Sequence, residues 1–167
     1  MHFEPAQTDL INQAYHQYGK TMFAAATMER SLVNAVAQHR HAAAEENGHQ
    51  LAGDLWDKAA NEPMKRMIER LAPHLDKVPG LTDRLNAARG RRNHLAHDFC
   101  FDRAPDLAAP APATRLIDEL AADEETFLDL FAEVQEITRS LMEKAGIDTA
   151  TADAMHVLVV EAAKNAQ

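Results

Sequence analysis

The run Arg89-Gly90-Arg91-Arg92-Asn93-His94-Leu95-Ala96-His97-Asp98-Phe99 constrains the fold more than any other stretch of the chain. On an α-helix, at about 100° per residue, Leu85, Ala88, Leu95 and Phe99 share one side, which has to face a core. Arg92 falls near the middle of that same side. A guanidinium on an apolar face is costly unless a carboxylate pairs with it or the site holds it ready for an anion. Any fold of this chain must therefore bring a partner to Arg92. Asn93 and His97, four apart, stack on a strip at the edge of the core side. Arg92 and His97 are about 140° apart around the helix and flank Asn93 without touching directly.

The partner is suggested by the N-terminal part of the chain. Tyr18, Met22, Ala25, Glu29, Leu32 and Val36 are spaced 4-3-4-3-4, the period of a helix packed in a bundle. Glu29 occupies a stripe position, so the spacing directs it inward, and we expect it to lie near Arg92. The competing reading is that Glu29 bends out to an edge. This helix is expected to begin at Thr8, as N-cap, and to reach about residue 41 or beyond.

The rest of the sequence also reads as all-α. Alanine is abundant, aromatic residues make up 5% of the chain, and β-branched alternation is nearly absent. We expect one domain over residues 1–167, a bundle of four to five main helices with long antiparallel members. Its core would span about residues 10–145. Residues 42–53 are polar and read as a loop or frayed end. A short helix follows over 54–60, and Asn61-Glu62-Pro63 restarts a helix with apolar positions Met64, Met67, Ile68 and Leu71, kinked or ended by Pro73. Val78-Pro79-Gly80 reads as a turn, after which Thr82 or Asp83 caps the central helix. Asp102 to Pro112 lacks helical periodicity and reads as a loop. A long helix is expected over 114–144, stopped by Gly146. An extra helix over about 149–165 would carry Met155, Leu158, Val159 and Ala162 on one side.

Charge and cysteine usage narrow the class of function. The net charge of −9 argues against a general nucleic-acid coat. Nine Lys or Arg and four acids stand between positions 58 and 92, a local balance of +5, so the remaining chain carries −14. A basic middle on an acidic body would focus a phosphate backbone onto one groove, or it is ordinary solvated helix surface. The single Cys100 rules out an internal disulfide framework and fits a reducing, cytoplasmic setting. Neither a signal peptide nor a membrane span is expected.

Of the groups able to do chemistry, most fall away. His94 and His97 with Asp98 lack a third ligand at a recognised metal-site spacing, so no metal and no other cofactor is expected. His39 and His41 diverge on a helix and read as surface. Cys100 has no evident activating arrangement, and no Gly-rich phosphate loop or Ser-centred elbow is present. Arg92, Asn93 and His97 remain. Arginine fits phosphate oxygens with two parallel hydrogen bonds, and histidine is readily poised as a base near neutral pH. The set suits attack of a ribose 2′-hydroxyl on its own phosphodiester. His97 would take the proton, Arg92 would hold the added negative charge, and Asn93 would orient the phosphate or fix the His97 tautomer. No metal is needed, because the nucleophile lies inside the substrate. Arg89, Arg91 and His94 are the neighbouring candidates for substrate contact.

Arg92-Asn93-His94-Leu95-Ala96-His97 resembles the Arg-Asn-x-x-x-His signature of HEPN domains, small helical proteins of toxin–antitoxin, phage-defence and RNA-processing systems. The long first helix with Glu29, the motif helix and the long helix after it resemble the HEPN bundle over roughly residues 10–145. The resemblance implies a metal-independent endoribonuclease, with Arg92 and His97 catalytic and Asn93 a polar helper. It further implies RNA as substrate and a homodimer whose motif helices meet in one cleft, which would let an Arg and a His from different chains converge. An antitoxin protein is an implied partner. Some relatives carry, two residues after the His, a Tyr that is modified by adenylylation; here that residue is Phe99. The alternative reading is a non-catalytic helical module that binds a nucleotide or a protein partner and keeps Arg92 for folding.

Overall fold

The computed structural model describes residues 5–45, 52–147 and 149–150, and the described residues form helices and turns without a strand. In order they are α1 (Pro5–Glu45), α2 (Ala52–Ala60), α3 (Met64–Leu75), α4 (Leu81–His97), α5 (Phe99–Arg103), a 3-10 segment (Ala104–Ala108) and α6 (Pro110–Lys144). The chain is an all-α bundle. The expected final helix, with Met155, Leu158, Val159 and Ala162, lies outside the described residues.

The frame is the pair α1 and α6, 41 and 35 residues long. Their facing sides are apolar at helical spacing: Ala25, Met28, Leu32 and Val36 on α1, and Leu116, Leu120, Phe127, Leu130 and Val134 on α6, all buried. Polar side chains fix the register. Gln7 donates to the Leu107 carbonyl (2.6 Å), the Thr21 hydroxyl to the Leu120 carbonyl (2.8 Å), and Gln17 to Glu124 (2.6 Å). Contacts advance along both segments from Gln7 with Leu107, through Thr21 with Leu120, to Arg30 and Asn34, which share a cleft with Phe131 and Gln135, so α1 and α6 run parallel. The antiparallel packing expected of the long helices belongs to α4, which lies against both. Arg84 meets Glu133 and Arg91 meets Asp123, while Glu29 meets Arg92 and Tyr18 meets Leu95. The chain runs up α1, returns through α4 and rises again in α6.

Several helix boundaries depart from the sequence reading. Helix α1 is already formed at Pro5, so Thr8 does not cap it, whereas its end at Glu45 agrees with the expected reach to residue 41 or beyond. Neither Thr82 nor Asp83 caps α4: Gly80 does, with φ of 71°, a left-handed conformation that glycine adopts without steric cost. The Thr82 hydroxyl instead donates to Asp76 (2.8 Å). Pro73 is accommodated within α3, which ends at Leu75. The stretch expected as a loop over 102–112 is largely helical. Pro105 and Pro110 sit at the first turns of their helices, where a missing N–H costs nothing because that donor has no intrahelical acceptor. Ala109, before Pro110, is extended (ψ 150°), as a residue preceding proline prefers. At the other end, Gly146 takes φ of 67° and its N–H bonds back to Glu143, closing α6 where expected.

Buried residues of α1, α3, α4 and α6 join in one core cluster. Short α2 docks on α1 through Trp56, whose indole N–H donates to Asn34 (3.2 Å) while Arg30 lies over its ring at 3.9 Å. No helix among the described residues is long and apolar enough to cross a membrane. Leu85 ties α4 to the core and is fully buried. Leu85→Ala is expected to destabilise the chain by about 2–5 kcal/mol, measured as a lowered urea midpoint with unchanged slope.

Candidate functional site

Helix α4 carries Arg84, Arg89, Arg91 and Arg92 within seventeen residues, yet it buries Leu81, Leu85, Ala88 and Leu95. Its arginines are sorted by edge. Toward α6, Arg84 forks onto both oxygens of Glu133 (2.6 Å each), and Arg91 bonds Asp123 (2.7 Å) and Glu119 (2.7 Å). Glu119 also receives Arg103, which bonds Asp106 as well. Hydrogen bonds from Arg103 hold the Glu119 carboxyl below its ordinary range, against the opposing effect of burial. Arg91, expected among the substrate contacts, is thus committed to α6.

Toward α1, Arg92 Nη2 bonds Glu29 Oε2 at 2.7 Å, and Nη1 bonds the Asn93 side-chain oxygen at 3.2 Å. The side chains of Arg92 and Glu29 are 31% and 29% exposed. Arg92 therefore does not sit in the middle of the apolar side. Its long stem carries the guanidinium out to the edge, where both charges keep part of their hydration. Asn93 and His97 are exposed on the strip beside it. Half-exposed Arg89 lies one turn before Arg92 and Asn93, and its buried Nε has no hydrogen-bond partner. Among the described residues it enters no ion pair, so within them it is a cation of the strip without a carboxylate partner.

His94 points elsewhere. Its ring meets Phe99 edge-on (6.2 Å), and Nδ1 lies 3.7 Å from Asp102, so it ties α4 to α5 instead of joining the strip. Tyr18 closes the end of α4. Its hydroxyl donates to the Leu95 carbonyl (2.9 Å), one of the terminal carbonyls a helix cannot satisfy internally, and its ring stacks on Phe99 at 5.1 Å. Burial pushes the Tyr18 phenol above its usual range.

The basic middle of the sequence is not one open groove. Arg70 and Arg40 both bond Glu62, whose carboxyl is held low chiefly by the hydrogen bond from Arg70. With Arg84, Arg91 and Arg92 also paired, four of the nine cations between positions 58 and 92 are engaged in holding the bundle together. Cationic reach near the motif rests on Arg89 and on the part-exposed Arg92.

One titratable pair escaped the sequence reading. His39, read as surface, is half-buried, and its Nδ1 lies 3.1 Å from Nε2 of His74 on α3. The signal was present: after Val36, the 4-3-4-3-4 stripe of α1 continues with a step of three to His39. Burial is the main cause that lowers both imidazoles below their ordinary 6.5. Arg70 and Arg40 reinforce it at His39, and His39, Lys77 and Lys144 do so at His74. Among the described residues no cluster of three or more His, Cys, Asp or Glu is arranged to hold a metal ion.

The histidine pair makes stability depend on pH. Because the folded state resists protonation at both rings, the unfolded chain binds more protons near and below its own value of about 6.5. The pair's contribution is complete above that pH and is lost as pH falls through the lowered folded values. His39→Gln should flatten the fall in urea midpoint between about pH 7 and pH 5. A variant with the wild-type pH slope would contradict this.

No protein-family model, curated protein or solved structure matches this chain.

Proposed function

We propose that this chain is a metal-independent endoribonuclease of the HEPN type that cleaves RNA by attack of a 2′-hydroxyl on the adjacent phosphodiester. The observation that carries the reading is the strip itself. Arg92 is oriented by Glu29 and by the Asn93 side-chain oxygen, while Asn93 and His97 are open to solvent on the same helix. His97 removes the 2′-hydroxyl proton, and the oxygen attacks phosphorus. The bond to the 5′-oxygen breaks, leaving a cyclic phosphate on one fragment and a hydroxyl, once protonated, on the other. Arg92, with a fixed positive charge and paired donors, stabilises the doubly negative transition state. Its competing carboxylate, Glu29, fixes the guanidinium before substrate arrives, which removes an ordering cost at the moment of reaction. Arg89 supplies a second, unpaired cation for a neighbouring phosphate.

Arg92 and His97 project about 140° apart on α4, so the reading includes a homodimer in which an Arg of one chain and a His of the other serve one phosphate. A role as a toxin or phage-defence effector in the cytoplasm, held in check by an antitoxin protein, belongs to the same proposal. Phe99 has no hydroxyl and is buried against Tyr18, so adenylylation at that position is not the route of control. The other reading, a non-catalytic module that binds a nucleotide or protein, is favoured by the structural commitment of Arg91 and Arg92.

The two part on one substitution. His97 is exposed and has no partner among the described residues, so His97→Ala should leave the thermal midpoint unchanged. It should lower cleavage of a mixed RNA pool, assayed with chelator present, by roughly 10²–10⁴. Absence of cleavage by the wild-type chain, or equal cleavage by the variant, would overturn the enzyme reading.

A further inference from the structure

Helix α6 ends in a chain reversal. The Gly146 N–H returns to the Glu143 carbonyl (3.1 Å) and the Ile147 N–H to the Met142 carbonyl (2.9 Å), with Gly146 at φ of 67°. This pair of bonds caps a helix and turns the chain back over its end. Ala150, a few residues further on, is already helical. The seventeen residues that follow, 151–167, lie outside the described residues, and their sequence carries the stripe Met155, Leu158, Val159 and Ala162 with Asp153 and Lys164 opposite. A helix with one apolar side needs a surface to cover it. One is present between α1 and α6, a groove lined by Phe23, Thr27, Ser31 and Asn34 of the first and Phe131 and Gln135 of the second. Phe23 keeps 54% of its surface in water. Thr27 projects about 160° from Glu29 around α1, so the groove lies on the side of the pair that α4 leaves uncovered. Its one charged residue, Arg30, is drawn over the Trp56 ring. A second groove beside α6 is walled by His74, Lys77, Glu133, Glu136 and Lys144, and an apolar stripe laid there would desolvate those charges.

We propose that residues 150–165 fold as a helix antiparallel to α6 and lay this stripe into the α1–α6 groove, opposite α4. The lengths agree. At 1.5 Å per residue the segment is about 24 Å long, and Phe131 lies about 22 Å back along α6 from Gly146. Ala162, about 18 Å from Ala150, comes beside Gln135, which lies about 17 Å back from Gly146. The inference is independent of the ribonuclease reading. A groove filled from within the chain is closed to a second copy or another protein, while the Arg89–Arg92–His97 strip on α4 stays open.

Amide hydrogen exchange of the full chain, followed peptide by peptide, is the test. Amides of residues 152–165 should exchange roughly a hundredfold or more slowly than in an unstructured chain. Dilution by about a hundredfold should not change this, because the contact lies within one molecule. Leu158→Asp should remove the protection while the amides of α4 keep theirs. Thr27→Trp, which plugs the groove, should remove it too; the Thr27 hydroxyl bonds the Phe23 carbonyl of its own helix, so the substitution spares the contacts of the other helices. Ser140→Trp, in the charged groove, should leave the protection intact. Protection that survives Leu158→Asp or Thr27→Trp, or that Ser140→Trp removes, would overturn the proposal. So would protection lost on dilution, which would assign the contact to a second copy, and so would wild-type amides 152–165 that exchange at the unstructured rate.

Discussion

Four guanidinium groups on one seventeen-residue helix have to be accommodated before that helix can join a core, and much of the arrangement follows from how this is done. Arg84 and Arg91 lean to one edge and meet carboxylates of α6, whereas Arg92 leans to the other and meets Glu29 of α1. None of these pairs is fully buried, so each contributes modestly, on the scale of about 1 kcal/mol. Their joint effect is positional. A slip of α4 by one turn would break three pairs at once and leave their partners partly desolvated and unpaired. The ion pairs thus define the register in which Leu85, Ala88 and Leu95 enter the core.

The same sorting decides what is left for chemistry. Once Arg84 and Arg91 are bound to α6 and His94 to α5, Arg89 and His97 are left without a partner among the described residues, and Asn93 is held only by its hydrogen bond from Arg92. Arg92 belongs to both sets. It is held by Glu29, yet nearly a third of its side chain remains open. A phosphate approaching that edge would find a guanidinium whose direction is already set. The fold accommodates an arginine at this helical position because its stem carries the guanidinium to the edge, where the facing helix supplies a carboxylate.

How much of this could be read from the sequence depended on the physical source of each signal. The periodic stripe from Tyr18 to Val36 exposed α1, and the anomaly of Glu29 within it pointed to Arg92, because a charge out of place on a regular pattern has few ways to be satisfied. The partners of Arg91 were not legible. Whether an arginine at a helix edge meets a carboxylate or a ligand depends on which acids of α6, some thirty residues away, the packing brings beside it. His39 was legible in principle as the next step of the stripe, but its neighbour His74 lies on a different helix. Local chemistry misled at the proline-rich segment, where Pro105 and Pro110 begin helices instead of breaking them, and at Thr82, where a strong capping residue yielded to the left-handed Gly80 two residues earlier. In each case a tertiary or backbone constraint outweighed a side-chain preference.

The claim on which fold and site both depend is that Glu29 holds Arg92. A double-mutant cycle with Glu29→Gln and Arg92→Gln, read by urea denaturation, tests it directly. A coupling of about 1 kcal/mol or more between the two positions is expected. Single-variant effects that add to within about 0.3 kcal/mol in the double variant would contradict it.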